Sequence, residues 1–173
     1  MMPDDRAPTP DFGRIYDENF AKVYNYVRYR VGDAAAADDV VARVFEKALA
    51  RLSGFDPRRG PAAAWLFAIA RSAVIDHFRA KAWFSWLPLD AFHGRPDPAP
   101  GSEELLSKDE ERRALLESMA VLDEREREIL ALRFGGGMTN REIAAALELS
   151  DANVGVIIHR ALKKMKGSLG EDQ

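Results

Sequence analysis

The sequence contains no cysteine among its 173 residues. This absence excludes disulfide bonds, thiolate zinc sites and cysteine nucleophiles. No apolar run approaches the roughly 18–20 residues that a helix needs to span a bilayer. The polar first residues are not followed by the apolar stretch of a secretory signal. We therefore expect a cytoplasmic protein.

Neither sign of charge dominates, because 25 Lys and Arg residues stand against 28 Asp and Glu residues, for a net charge of −3. This balance argues mildly against a general nucleic-acid binder. The distribution of charge is more informative, since residues 160–166 hold four cations and no anion. Local basic faces on an acidic chain are typical of a protein that meets DNA on selected surfaces.

Strand patterns are also missing, because no stretch alternates apolar and polar residues over a useful length. The periodic segments all indicate helices, and the sequence therefore predicts an all-α protein. Within the helix that follows Asp123, the pattern predicts that Ile129, Leu130 and Phe134 are buried. The predicted helices cover approximately residues 11–31, 33–52, 62–82, 102–121, 123–134, 139–147 and 150–169. We expect Asp33 and Ser150 to be the N-caps of the second and last helices, and we expect capping boxes formed by Asp123 with Glu126 and by Thr139 with Glu142.

Prolines and glycines concentrate in one segment, with four prolines and two glycines between Trp86 and Gly101. Such a composition predicts a flexible, semi-extended linker rather than a regular element. We expect a first small helical domain at residues 10–85, a linker at 86–104 and a second small helical domain at 105–170.

The second domain contains the pattern of a helix-turn-helix: a short helix that begins at Thr139, a three-residue turn and a longer helix. Val154, Ile158, Ala161 and Met165 recur at spacings of four, three and four, which places them on one inward face. The opposite face carries side chains that can meet phosphates or base edges. The candidate DNA-contacting residues of this motif are Thr139, Asn140, Arg141, Ser150, Asn153, Val156, Ile157, His159, Arg160, Lys163 and Lys164. The alternative is an ordinary helical hairpin with a solvated polar face, in which His159 simply faces solvent.

Two segments of the first domain carry a family resemblance. They are Ala37-Asp-Asp-Val-Val-Ala-Arg-Val-Phe-Glu-Lys-Ala48 on the second helix and Trp65-Leu-Phe-Ala-Ile-Ala-Arg-Ser-Ala-Val-Ile-Asp-His-Phe-Arg79 on the third. Together with the helix-turn-helix, they resemble the extracytoplasmic-function (ECF) sigma factors of bacterial RNA polymerase, from about Phe12 to Leu169. The resemblance implies a sigma factor that directs promoter recognition and transcription initiation. It implies no catalysis, no cofactor and no metal.

The resemblance also implies a role for each part. The second helix looks like the surface that docks on the clamp of the largest subunit of core RNA polymerase, with residues Asp38, Asp39, Val40, Val41 and Phe45. The loop at residues 55–64 and the helix after it look like the part that captures an unpaired base of the −10 element. Its residues are Arg58, Arg59, Gly60, Trp65, Arg71, Ser72, Asp76 and Arg79. The helix-turn-helix would read the −35 element of promoter DNA, and an anti-sigma factor is a further partner that the family suggests.

Several alternatives stand beside these roles. Asp38 and Asp39 suit a solvated first helical turn, and Trp83 and Trp86 either complete the core of the first domain or stack on bases. For the whole chain, the alternative is a helix-turn-helix regulator that acts without core polymerase, which strong DNA binding by the free protein would favour. An enzyme is disfavoured, because Asp76 and the adjacent histidine point about 100° apart on a helix and no phosphate loop or nucleophile motif is present.

Overall fold

The computed structural model describes residues 11–84, here called the N-terminal half, and residues 114–170, the C-terminal half. Every regular element within these two ranges is helical, which confirms the all-α fold class. The predicted linker at residues 86–104 and the predicted start of a helix at residue 102 lie outside the described residues.

Three long helices form the N-terminal half: α1 (Phe12–Val31), α2 (Ala34–Ala50) and α3 (Ala62–Phe84). The predicted N-cap of α2 is confirmed, since the Ala36 backbone N–H donates to Asp33 Oδ1 at 2.8 Å. This bond satisfies one of the amides that the first turn of a helix leaves without a partner.

Shorter helices form the C-terminal half. They are helical residues 114–118 (α4), α5 (Glu124–Leu130), a π-helical turn at Ala131–Gly135, α6 (Asn140–Leu147) and α7 (Asp151–Gly170). Both predicted capping boxes are present. Asp123 and Glu126 exchange backbone and side-chain hydrogen bonds at the start of α5, and Thr139 and Glu142 do the same at α6. The residue types at these positions therefore fix where both helices begin.

One burial prediction for α5 is wrong. Ile129 and Leu130 are buried as expected, but Phe134 is 54% exposed. The helix widens into a π-helical turn at Ala131–Gly135, and a π turn shifts the angular positions that follow it by changing the number of residues per turn. Leu132, which is fully buried, takes the inward position instead.

One apolar cluster joins the two halves of the chain. Side chains of α1 and α3 pack with side chains of α5, the π-helical turn and α6 in one continuous cluster. Its fully buried members from both halves include Val23, Tyr26, Val27, Leu66, Ile129, Leu132 and Ile143. The boundaries of the two predicted domains stay a prediction, but the halves are in extensive contact.

Two glycines permit this contact. A Cβ atom at Gly135 would lie 2.9 Å from the backbone of Tyr26, and one at Gly136 would lie 2.8 Å from the ring of Phe67. Real Cβ atoms do not approach other heavy atoms so closely, because interiors are already close-packed. The absence of a side chain at both positions lets the π-helical turn lie directly against α1 and α3.

No helix among the described residues is both long enough and apolar enough to cross a membrane.

Candidate nucleic-acid interface

Helices α6 and α7 form the predicted helix-turn-helix. Glu148 ends α6 in the left-handed conformation, with φ of 56°. Ser150 then begins α7, because its Oγ accepts the backbone N–H of Asn153 at 3.2 Å. Buried Ile143 and Val154 hold the two helices together. The second helix of such a motif is the one that enters the major groove of DNA.

One face of α7 presents polar and basic side chains to solvent. Asn153, Val156, Arg160 and Lys163 are all exposed. Their spacings of three, four and three place them on the same side of the helix. His159 is also exposed, as are Thr139, which caps α6, and Arg141 in the first turn of α6. We call Asn153, Val156, Arg160 and Lys163 the exposed strip of α7. The strip offers two cations and the side-chain amide of Asn153 to a ligand.

Three other candidates of this motif are ion-paired or half-buried. The Lys164 ammonium donates to Glu126 Oε1 at 2.6 Å, which connects α7 to α5. Ile157 is half-buried against the core. Asn140 is also half-buried, and its Oδ1 has no hydrogen-bond partner among the described residues. Their contacts with DNA stay predictions, and the geometry favours the exposed strip over these three residues.

A small cavity lies at the N-terminal end of α3. The preceding loop contains two 3₁₀ turns, at Leu52–Gly54 and Pro57–Arg59, and it brings the ring of Phe55 to 5.0 Å from the ring of Trp65. The cavity has a volume of about 250 Å³. Its lining residues are Gly54, Phe55, Asp56, Arg59, Gly60, Pro61, Ala64 and Trp65.

One ion pair and two exposed arginines lie beside this cavity. The Arg58 guanidinium donates from Nε to Asp56 Oδ1 at 3.0 Å. The side chain and the backbone N–H of Arg58 hold the pKa of the Asp56 carboxyl below its usual value. Arg58 and Arg59 are both exposed, so the loop offers positive charge at the mouth of an aromatic cavity.

The predicted −10 residues of α3 share one face of that helix. Ser72, Asp76 and Arg79 are exposed and follow Trp65 at spacings of seven, four and three, which align on one side of a helix. The Asp76 carboxylate is partly engaged, since Lys47 Nζ lies 3.2 Å from its Oδ2.

Trp83 continues the same face one turn beyond Arg79. It is 75% exposed, so the interpretation of Trp83 as a core residue was wrong, while Trp86 lies outside the described residues. Base stacking by Trp83 stays a prediction.

Arg71 departs from this face and points toward the C-terminal half. Its Nε donates to Glu128 Oε1 at 2.9 Å, and its Nη1 donates to the carbonyl oxygen of Ala146 at 2.9 Å. The same carboxylate accepts the hydroxyl of Tyr26 at 3.0 Å, and its Oε2 lies 2.7 Å from Arg30 Nε. We call Tyr26, Arg30, Arg71 and Glu128 the Glu128 network.

The Glu128 network is largely shielded from water. The side chains of Arg30 and Glu128 are 3% and 14% exposed. Burial raises the pKa of the Tyr26 phenol well above its ordinary value, and the neighbouring Glu128 carboxylate raises it further. Arg30 also pairs with Glu124 and lies over the ring of Phe78, 5.6 Å from its centroid. Sequence reasoning missed this network, because Tyr26 and Glu128 are 102 positions apart and no local pattern connects them.

The predicted polymerase-binding residues divide into two groups. Asp38 and Asp39 are exposed on α2. Val40, Val41 and Phe45 are 1%, 4% and 7% exposed. The three apolar side chains therefore belong to the core beneath the predicted docking surface. Only the two carboxylates are accessible to a partner.

Two family models match the chain in the order of these structural features. Sigma-70 region 2 matches residues 15–84. These residues contain the aromatic cavity and the exposed carboxylates of Asp38 and Asp39, here called the acidic face of α2. Sigma-70 region 4 matches residues 112–165, which contain the helix-turn-helix.

Curated relatives show the same family. The ECF RNA polymerase sigma factor RpoE of Cereibacter sphaeroides is 34% identical over 130 residues, which cover 75% of this chain and 68% of the relative. The ECF sigma factor BldN of Streptomyces coelicolor is 32% identical over 165 residues, or 93% of this chain. The chain spans only 61% of the length of BldN. SigL of Mycobacterium tuberculosis is 27% identical, with 91% of this chain and 88% of the relative covered.

Solved structures agree on the fold. CnrH in complex with the cytosolic domain of CnrY has a TM-score of 0.69 at 26% identity and covers 94% of this chain and 89% of that chain. The sigma factor RpoE of Bartonella quintana in complex with the anti-sigma factor NepR has a TM-score of 0.69 at 17% identity, with 94% and 99% covered.

A helical chain with an aromatic cavity on one half and a helix-turn-helix on the other has the architecture of a sigma-70-class transcription initiation factor. Within that class, the chain belongs to the ECF sigma factors of bacterial RNA polymerase.

Proposed function

We propose that this chain binds core RNA polymerase through the acidic face of α2 and directs it to promoters by reading two DNA elements. The observation that carries the proposal is the presence of both sigma-70 regions on one chain, with an aromatic cavity in one and a formed helix-turn-helix in the other. The protein itself catalyses no reaction in this proposal. It acts in the cytoplasm, where bacterial polymerase and promoter DNA are found.

The cavity at the start of α3 is suited to hold an unpaired base of the −10 element. Removing a base from the duplex costs a few kcal/mol, and stacking on an aromatic side chain returns about 1–3 kcal/mol per base. Phe55 and Trp65 supply the aromatic surface. Arg58 and Arg59 are exposed beside the cavity, and Arg79 is exposed on α3, 14 residues after Trp65. Together they supply charge for the phosphates.

The exposed strip of α7 is suited to read the −35 element in the major groove. Asn153 can bond to an adenine edge, and Val156 can contact a thymine methyl group. Arg160 and Lys163 can bind phosphates or guanine edges. The strip contains few groups that read bases, so we expect the DNA affinity of the free chain to be weak.

The two halves must separate before both elements can be bound. The −35 and −10 elements are roughly 25 base pairs apart, which is about 85 Å at 3.4 Å per base pair. In the structure, however, the two halves share one apolar core and the Glu128 network. We propose that this compact form is the state before promoter binding, and that the polymerase-bound form is open.

The test is transcription in vitro with core RNA polymerase of the source bacterium and fragments of its genome. We expect the purified chain to bind core polymerase and to initiate at a restricted set of promoters. Failure to bind core polymerase, together with strong specific DNA binding by the free chain, would instead establish the regulator that acts without polymerase.

Substitution of Trp65 tests the base-binding cavity. Trp65→Ala removes half of the aromatic surface, so we expect promoter opening to fall by roughly 10- to 100-fold, the equivalent of about 1–3 kcal/mol of stacking. Trp65→Phe keeps a stacking ring and should retain most of the activity. Permanganate reactivity of unpaired thymines measures opening, and core polymerase binding is the control. Normal opening by Trp65→Ala would remove the cavity from the proposal.

A pair of cations on α7 tests the −35 surface. Arg160→Ala should reduce the slope of log affinity against log salt by about one phosphate equivalent. Lys164→Ala should change the slope less, because its ammonium is already paired with Glu126. Binding of the reconstituted holoenzyme to duplex promoter DNA at several salt concentrations gives both slopes. An equal loss of slope in both variants would show that the Lys164 pair does not persist on DNA.

A further inference from the structure

The Glu128 network is an anion site whose parts come from different halves of the chain. Its three donors, Tyr26, Arg30 and Arg71, all belong to α1 and α3 of the N-terminal half. The carboxylate on which they converge belongs to α5 of the C-terminal half. Glu124, which also pairs with Arg30, is on α5 as well. Separation of the halves therefore removes both carboxylates from Arg30 at once.

The donor set that remains has the chemistry of a phosphate site. The Arg71 guanidinium and the Tyr26 hydroxyl donate to the Glu128 carboxylate, and the Arg30 guanidinium is ion-paired with it. Arginine binds the oxygens of phosphates with the same geometry that it uses for carboxylates. Arg71 lies on α3 between Trp65 and Arg79, the helix that the proposed function places along the −10 DNA. A phosphodiester of that DNA is therefore the candidate anion for the site in an open chain.

We propose that Tyr26, Arg30 and Arg71 form a binding site for a promoter phosphate, and that Glu128 occupies this site in the closed chain. Domain closure and DNA binding then compete for the same three donors. This inference rests on the proposed function, because promoter DNA is the ligand.

The competition makes the free chain self-inhibited. A ligand that binds only the open form has an apparent affinity reduced by the fraction of molecules that are open. Gly135 and Gly136 permit the close approach of the two halves that places the Glu128 carboxylate beside its donors. Any event that moves α5 away therefore exposes the phosphate site.

The first test measures the binding of the full-length free chain to single-stranded DNA of mixed sequence by fluorescence anisotropy. Glu128→Gln keeps the shape of the side chain but removes its charge, so we expect binding to tighten by roughly tenfold or more as the open fraction rises. Glu117→Gln, at an exposed position of the same half, is the matched control and should bind like the unaltered chain.

A second variant opens the interface without touching the charges. Gly135→Leu places a side chain where even a Cβ would lie 2.9 Å from the Tyr26 backbone, so it should force the halves apart and tighten DNA binding to a similar degree. Since the chain has no cysteine, spin labels can be attached cleanly at Ala50→Cys and Ala152→Cys, both exposed. Pulsed electron resonance should show one short distance in the unaltered chain and an added long distance in both variants.

A third comparison tests the phosphate site itself. In the Glu128→Gln background, Arg71→Gln should lower the salt slope of single-strand binding by about one phosphate equivalent, whereas Lys22→Gln, at an exposed position of α1, should leave it unchanged. Opening without tighter DNA binding, or an unchanged slope in Arg71→Gln, would overturn the proposal. Failure of the unaltered chain to act with core polymerase is a separate result, because it would overturn the proposed function instead.

Discussion

Simultaneous replacement of Asp38 and Asp39 by arginine should reduce transcription directed by this sigma factor by roughly 100-fold or more. The two arginines would face the polymerase groups that pair with the carboxylates, and like charges brought together at an interface cost several kcal/mol. Both carboxylates are exposed on α2, whereas Val40 and Val41 beside them are buried. The substitution therefore changes the proposed docking surface without disturbing the core. Affinity for core RNA polymerase and run-off transcription measure the effect.

Asp17→Arg is the matched control, because Asp17 is an exposed aspartate on the neighbouring helix α1. It should leave polymerase affinity and transcription close to normal. Circular dichroism should show the same helix content for all three proteins. Normal polymerase binding by the Asp38–Asp39 variant would move the docking surface away from the acidic face of α2.

Leu132→Ala should lower the free energy of unfolding by about 2–5 kcal/mol, the usual cost of emptying a large buried aliphatic site. Leu132 is fully buried in the core that joins the two halves. Phe134→Ala, two residues away in the same π-helical turn, should cost less than about 1 kcal/mol because Phe134 is 54% exposed. Urea unfolding followed by circular dichroism measures both values.

The same experiment tests whether the halves unfold together. Because one core contains residues of both halves, we expect a single cooperative transition for the unaltered chain. Two separate transitions, with Leu132→Ala shifting only the C-terminal one, would contradict a shared core. An equal loss of stability in Leu132→Ala and Phe134→Ala would contradict the exposure of Phe134.

Local features of the fold could be predicted because they depend on neighbouring residues. The capping boxes at Asp123 and Thr139 and the N-caps at Asp33 and Ser150 each involve groups within three positions of one another. Helical spacing likewise predicts the inward face of α7. The predicted burial of Phe134 is wrong because the helical period of α5 does not continue through the π-helical turn.

Burial within a predicted site depends on packing that sequence spacing does not specify. The family resemblance marks Asp38 to Phe45 on α2 as one docking surface, but contacts with α1 and α3 bury its three apolar side chains. On α7, the distant Glu126 decides that Lys164 is engaged while Arg160 stays exposed. The choice among candidate residues therefore follows from tertiary contacts, although the candidate set follows from the pattern.

Periodicity, capping residues and short motifs act over a few positions. They therefore predict that this chain is helical, that its C-terminal half contains a helix-turn-helix and that its parts follow the order of an ECF sigma factor. The shared core of the two halves and the contacts of Glu128 with Tyr26, Arg30 and Arg71 could not be predicted in this way. Such contacts join residues up to 102 positions apart, and their proximity depends on how whole helices pack.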